Sequence, residues 1–359
     1  MIRLVQRCRE VGTITIVGGL HATLKPEAFT PFANCVVMGE GEVVWPQIIA
    51  DLEKNCLKPI YNAKAINSFG MRSAPMPAFE LLRTGVGRRF TVQTQRGCPW
   101  DCEFCAASMR LAPFKMKPIA NVVSEIERIS GLYGENFVEF ADDNTFANRK
   151  HSIKLLDALA NTNVRFFAES DLSIADDPEP LWRMRDAGCQ EVLIGFESSD
   201  FNALDGVEQR LNWKAKRVDR ALRAVDKIQR TGIAVCGCFV ISPDGAGPDS
   251  FFQVRDFIER SGVFDVQLTY LTLFPGTPLH TRLTDEGRIL SASASERYTL
   301  FDINFEPNGM NVEALEHGYR KLMAQLYTDG AVRDRRKRFF GHLRNRIREK
   351  RQPNPSLAA

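Results

Sequence analysis

Between residues 89 and 271 the chain alternates between short β-branched or aromatic runs and longer stretches with apolar residues on one helical face. Strands are expected at 89–95, 137–141, 164–168, 191–195, 234–241 and 265–271, and helices at 118–132, 150–160, 179–187, 213–229 and 250–260. In the first helix Val122, Val123, Ile126 and Ile129 share one face. Six strand–helix units in series imply a parallel sheet. Right-handed crossovers curl such a sheet into an open barrel. Reactive residues of such barrels gather at the carboxyl ends of the strands.

The first strand delivers the loop Arg96-Gly97-Cys98-Pro99-Trp100-Asp101-Cys102-Glu103-Phe104-Cys105, with its cysteines in C-x3-C-x2-C spacing. Gly97 lets the backbone turn tightly and Pro99 stiffens it. Thiolates suit iron–sulfur clusters or zinc, and a closed site of either kind takes four protein ligands. No fourth cysteine or histidine follows at ligand spacing, and His151 and Cys189 lie in unrelated segments. Three thiolates on a four-iron cluster leave one iron open to chemistry. The other cysteines, Cys8, Cys35, Cys56, Cys189, Cys236 and Cys238, read as small packed hydrophobes. Cys236 and Cys238 share a strand face, which leaves a ligand role open beside burial. Nine cysteines in 359 residues are no secreted disulfide framework and point to a reducing, cytoplasmic setting.

Polar residues follow the other strands. Asp142-Asp143-Asn144 reads either as a loop that caps the next helix or as acceptors for a cationic ligand. Glu169 leaves the apolar run Phe166-Phe167-Ala168, where an unpaired carboxylate is costly, and so reads as a site residue. Glu197 and Ser198 read as a helix cap or as site residues, and Ser242-Pro243-Asp244-Gly245 as a turn.

Residues 1–57 carry two strands, at 13–17 and 35–38, each followed by a glycine-bearing loop, with helices at 26–29 and 43–54. Gly18 and Gly19 serve turn geometry or close approach of a ligand, and His21 is a surface histidine or a residue beside that ligand. Residues 58–88 read as a linker. Residues 272–330 form a helical cap, in which Tyr298, Phe301 and Phe305 line a pocket or fill a core. Residues 331–351 hold ten Lys or Arg against two acidic residues, a solvated helix or one that meets an anionic surface, before a disordered tail. A net charge of +3 gives no argument for nucleic acid, and no apolar run reaches membrane-spanning length.

The cysteine loop, down to the aromatic Phe104 before the third cysteine, resembles the signature of the radical SAM superfamily. Val17-Gly18-Gly19-Leu20-His21-Ala22-Thr23 and Val36-Val37-Met38-Gly39-Glu40-Gly41-Glu42 resemble the second half of a cobalamin-binding domain fused to such enzymes. Pro275-Gly276-Thr277-Pro278-Leu279 resembles a loop of the same cobalamin-linked subgroup. The resemblance implies an open (β/α)6 barrel at 89–271. A partial Rossmann-like, flavodoxin-like cobalamin-binding domain at 1–57 would precede it and a helical C-terminal extension follow it. The first strands of such a domain and a D-x-H-x-x-G motif do not occur in the sequence, which implies a late start, a fragment or a lost cofactor.

The resemblance further implies that Cys98, Cys102 and Cys105 hold a [4Fe–4S] cluster whose fourth iron takes S-adenosylmethionine (SAM). Phe104 would lie by the adenine, Asp142, Asp143 and Asn144 by the ammonium, Glu197 and Ser198 against SAM, and Gly18, Gly19 and His21 by the corrin. The implied reaction is reductive cleavage of SAM to a 5′-deoxyadenosyl radical, then cobalamin-dependent methyl transfer to an unactivated carbon. A cyclase or rearranging enzyme without cobalamin, and a non-catalytic cluster- or zinc-binding paralogue, are the other readings. The implied partners are a small-molecule or lipid substrate and an electron donor such as flavodoxin or ferredoxin. Peripheral membrane contact would come through the basic C-terminal helix.

Overall fold

The computed structural model describes residues 1–66, 69–82, 89–100, 102–106, 113–196, 218–241, 244–290 and 297–351. The chain begins with α1 (Ile2–Glu10), β1 (Ile16–Val17), α2 (Leu20–Leu24), β2 (Cys35–Met38), α3 (Gly41–Glu53) and β3 (Ile60–Asn62). The strands form a parallel sheet in the order β1-β2-β3. The central strand is apolar throughout because both its faces are covered. Val36 packs with Val5, Val17, Ala22 and Phe29 on one side, while Cys35 and Val37 pack with Val44, Ile48 and Tyr61 on the other. The third strand lies beyond residue 57, in the segment expected as linker. Three residues are too few to show a period, and what fixes them is tertiary: Tyr61 is buried and its hydroxyl donates to Asp51 at 2.6 Å. Helices α1 and α2 were likewise not legible. Cys56 is exposed rather than packed, since it lies in the turn that follows α3.

The second layer holds β4 (Thr91–Val92), β5 (Gln95–Arg96), β6 (Lys115–Met116), α4 (Ile119–Tyr133), β7 (Phe137–Phe140), α5 (Arg149–Leu159) and β8 (Arg165–Ser170). It continues through α6 (Pro178–Asp186), β9 (Cys189–Phe196), α7 (Val218–Arg230), β10 (Ala234–Ile241), α8 (Asp249–Ser261) and β11 (Asp265–Tyr270). Among the described residues six parallel strands run in the order β11-β10-β9-β8-β7-β4, as the alternation requires. Phe166, Ala168, Val192, Ile194 and Phe239 face the helices and join Val122, Ile126, Leu155, Leu156, Met184 and Val225 in one core. Glu169, Leu193, Gly195 and Cys238 face inward. The turn into β9 requires glycine: Gly188 has φ +102°, and a Cβ there would sit 1.9 Å from the carbonyl oxygen of Val164. Of the helix expected at 213–229, residues 213–217 lie outside the described ones.

The first barrel strand departs from expectation. Only Thr91 and Val92 pair with β7, and Gln95 and Arg96 turn out to pair antiparallel with Lys115 and Met116. The buried carboxylate of Asp142 causes the break. It accepts the backbone N–H groups of Thr94 (2.8 Å) and Gln95 (3.0 Å) and the Thr94 hydroxyl, which draws the chain out of the sheet. The ribbon β5–β6 brackets the cysteine loop.

The chain ends with α9 (Pro278–Asp285), α10 (Val312–Leu326) and α11 (Asp329–Arg351). Thr277 caps α9 by accepting the His280 N–H at 3.2 Å, with Pro278 at the first helical position. Phe305 is buried with Leu271, Leu273 and Leu279, and Tyr298 packs on that cluster, whereas Phe301 is 64% exposed. An edge strand left bare invites pairing with another chain. At the β11 edge the Tyr319 hydroxyl donates to the Leu268 carbonyl at 3.0 Å, and the Tyr327 hydroxyl to the Val266 carbonyl. Tyr270 N–H donates to the Leu300 carbonyl at 2.9 Å. Tyr319→Phe and Tyr327→Phe should each lower the unfolding free energy in urea by about 1 kcal/mol, and additively, because each leaves a different strand carbonyl without its donor.

Candidate active site at the cysteine loop

Gly97, at φ +75°, turns the chain out of β5 into the cysteine loop. The loop lies over the carboxyl ends of β7 to β10, where a cavity of about 190 Å³ opens. Cys98, Trp100, Cys102, Phe104 and Cys105 form one wall of this cavity. Asp143, Asn144, Glu169, Ser170, Asp171, Leu193, Gly195 and Cys238 form the other. All three cysteines are partly accessible, and none of the nine cysteines is disulfide-bonded. Burial pushes the Cys98 thiol up to about 11, and the nearby Cys105, Asp143 and Asp171 add to the effect. A metal that binds there must displace a proton.

Residues in and beside the cysteine loop tie it to three parts of the molecule. Arg96 pairs at 2.7 Å with Glu40, on the loop that follows β2, and at 2.6 Å with Glu42, in the first turn of α3, and Lys115 pairs with the same Glu40 at 2.6 Å. Trp100 donates its indole N–H to Asp171 at 3.2 Å, and Asn144 donates to the same carboxylate oxygen at 2.8 Å. Glu103 is 7% exposed and accepts from Arg282 of α9 at 2.8 Å. Arg282 also meets Asp244 at 3.3 Å.

The cavity is acidic. Burial, with the Asp143 and Asp142 charges behind it, pushes the Glu169 carboxyl up to about 7. Burial also lifts Asp143. Both groups resist ionisation without a cationic neighbour.

A second cavity, of about 410 Å³, opens between the N-terminal sheet and the cysteine loop. Gly19, Leu20, Thr23, Gly39, Glu40, Gly41 and Glu42 meet Arg96, Gly97 and Asp143 across it. A Cβ at Gly19 or Gly41 would have no atom within 4 Å. Asp143 lines both cavities, so it is the wall they share.

Of the residues expected at the site, the structure brings together Cys98, Cys102, Phe104, Cys105, Asp143, Asn144 and Glu169. Asp142 is a correction: its carboxylate oxygens are taken up by Thr94 and Gln95, so it holds the loop rather than facing the cavity. Burial lifts its carboxyl too, against those hydrogen bonds. Glu197 and Ser198 lie outside the described residues. Gly19 lines the second cavity, while Gly18 packs against Val37 behind it. His21 is exposed and stacks edge-on against Phe29 at 5.0 Å, away from both cavities. Sequence reasoning missed Leu193, and it left Cys238 open between burial and a ligand role.

The donor set separates two metal chemistries. Among the described residues no three His, Cys, Asp or Glu side chains converge as ligands of a single ion. Three thiols spread around one loop fit instead a polynuclear cluster whose separate irons each take one thiolate. The glycine loops and open space of the second cavity fit a bulky cofactor laid against strand ends.

Residues 92–258 match the family model described as the Radical SAM superfamily, and residues 277–359 match a domain of unknown function, DUF4070. The bacteriochlorophyllide d C-12(1)-methyltransferase of Chlorobaculum tepidum is 26% identical over 99% of this chain and 79% of its own length. The hopanoid C-2 methylase of Rhodopseudomonas palustris is 26% identical over 80% of this chain, which spans 55% of that protein. The radical S-adenosylmethionine methyltransferase TsrM of Kitasatospora setae has the same fold, with a TM-score of 0.66 at 17% identity. That likeness covers 82% of this chain and 63% of TsrM.

Alanine at Cys98, Cys102 or Cys105 should each reduce iron and sulfide in anaerobically reconstituted protein to background, as read by metal and sulfide assay. The Glu169 carboxyl gives a second prediction, for cluster-free protein. Below about pH 4.5 it is protonated both folded and unfolded. As the pH rises from there to about 7 the unfolded chain releases the proton that the folded chain keeps, so stability falls. Urea midpoints should show this decline in the wild type relative to Glu169→Gln, with the difference level above about pH 7.

Proposed function

We propose, from the membership of residues 92–258 in the radical SAM superfamily, that this chain is a radical SAM enzyme that transfers a methyl group to an unactivated carbon with the help of cobalamin. The observation that carries the reading is the shared wall: one side chain, Asp143, borders both the cysteine cavity and the glycine-loop cavity. A ligand in each would be a near neighbour of the other. Held by the three cysteines, a cluster would supply the single electron that reductive cleavage of SAM requires, and SAM the group that abstracts a hydrogen atom from the substrate.

The roles of this chain's residues follow from their positions. Cys98, Cys102 and Cys105 hold the cluster. Asp143 and Glu169 give the cavity the negative charge that a SAM ammonium and sulfonium require. Phe104, backed by Leu271 and Leu279, offers an apolar face to the adenine. Asn144 fixes Asp171, which fixes Trp100 and so the loop. Leu193, Gly195 and Cys238 make the deeper wall apolar and small, which suits an uncharged carbon skeleton such as a lipid or ring system. The loops of Gly19, Gly39 and Gly41, which line the second cavity, would hold cobalamin. The reductant is a small flavin or iron–sulfur protein, and the enzyme works in the cytoplasm. Among the described residues no helix is long and apolar enough to cross a membrane.

The test is anaerobic reconstitution followed by reduction with SAM present. Methionine and 5′-deoxyadenosine should appear, and cobalamin should remain bound through gel filtration. Gly41→Leu should lose cobalamin while keeping the wild-type iron content, because Gly41 lines the second cavity and not the cysteine cavity. If reduced, cluster-loaded wild-type protein cleaves no SAM, the proposal fails. If it cleaves SAM but retains no cobalamin, the methyl-transfer part fails alone.

A further inference from the structure

α11 packs only one side against the rest of the molecule. Arg335 and Phe339 are buried, Phe339 meets Phe264 at 5.0 Å, and the half-buried His342 approaches Asp226 at 3.7 Å. Three and four residues apart on the opposite side, Arg333, Arg336, Lys337, Phe340 and Arg344 form one exposed stripe. Phe340 lies amid these cations and is 46% exposed. Its ring is held at a fixed angle by edge contacts with Phe264 and Phe339. Arg336 reaches back to Asp265 at 3.0 Å, while Arg333, Lys337 and Arg344 point to no acidic partner within salt-bridge range among the described residues.

The charge is local. Residues 331–351 carry ten cations and two anions, a net +8, whereas the whole chain carries +3, so the remainder is net −5. A uniformly basic protein would suit nucleic acid wrapped over a broad surface. Here a single cationic stripe with a ring at its centre projects from an acidic body. That is the pattern of a helix lying in the headgroup plane of an anionic bilayer, with the cations at the phosphates and the ring among the acyl chains.

We infer that the exposed face of α11, through Arg333, Lys337, Phe340 and Arg344, docks the protein on an anionic membrane surface. Docking by this face leaves the cysteine cavity uncovered, because α11 lies by Phe264 and Asp265 at the amino end of β11 and the cavity lies at the carboxyl ends of the strands. The inference is independent of the reaction proposed above, since it needs neither cluster nor cofactor.

The experiment is sedimentation of the full chain with vesicles of phosphatidylcholine alone or of equimolar phosphatidylcholine and phosphatidylserine. The wild type should pellet with the mixed vesicles, not with the neutral ones, and high salt should release it. Each of Arg333→Ser, Lys337→Ser and Arg344→Ser should weaken the partition about fivefold, and the triple variant about a hundredfold. Phe340→Ser should weaken it several-fold and leave its salt dependence unchanged. Thermal melts of these exposed-site variants should match the wild type, which separates lost docking from lost folding. The inference is overturned if the wild type binds neither vesicle, binds both alike, or binds transfer RNA in preference to the mixed vesicles.

Discussion

A buried carboxylate with no cationic partner among the described residues governs the geometry of the site. Asp142 leaves β7 into the interior, where an ion would cost several kcal/mol unless its oxygens were occupied. The backbone of Thr94 and Gln95 and the Thr94 hydroxyl occupy them. Those N–H groups are thereby lost to the sheet, so the first strand stops at Val92 and the chain lifts away as the β5–β6 ribbon. The cysteine loop is thus held off the barrel by a local competition for hydrogen bonds, and the space beneath it becomes the cavity.

The loop so displaced depends on polar contacts to three separate elements. Arg96 anchors it to the N-terminal sheet, Trp100 to the end of β8, and Glu103 to α9. These pairs are short and mostly shielded, unlike the exposed ion pairs of α6 and α10, which contribute little. The same shielding raises the cost of ionising Cys98, Asp143 and Glu169. The cavity therefore disfavours negative charge on these groups, and a cationic ligand beside the carboxyls or a metal at the thiols would offset that cost. Such an offset is a reason for a folded site to bind tightly what it was built for.

How much of this was legible follows from the range of each interaction. The six barrel strands and their helices were readable because period and composition are local, and the cysteines because three thiols so spaced have few other uses. The strand β3 was not, since only the burial of Tyr61 defines it. The break after Val92 was not, since it is decided by Asp142, about fifty residues on. Asp142 and Asp143 are adjacent and chemically identical in sequence, yet one faces the core and the other the cavities. A turn of one residue decides which, and no pattern in the sequence reports that turn. The tyrosines that cap β11 have no local signature either, because their function is to meet carbonyls some fifty to sixty residues away.

The same long-range contacts make the arrangement of domains and the geometry of the cluster loop a single property. Arg96 stands two residues before Cys98, with both its Nη atoms engaged by Glu40 and Glu42. Those glutamates flank Gly41, on the loop that lines the second cavity. A shift of the N-terminal sheet must therefore either break three partly buried ion pairs, Lys115–Glu40 included, or carry Cys98 with it. Breaking them leaves carboxylates unpaired near Asp143, where negative charge is already in excess. Carrying Cys98 along is the less costly course. Whatever fills the glycine-loop cavity and orders the sheet thus also orders the thiols, and by linkage a filled thiol site favours the ordered sheet by the same factor.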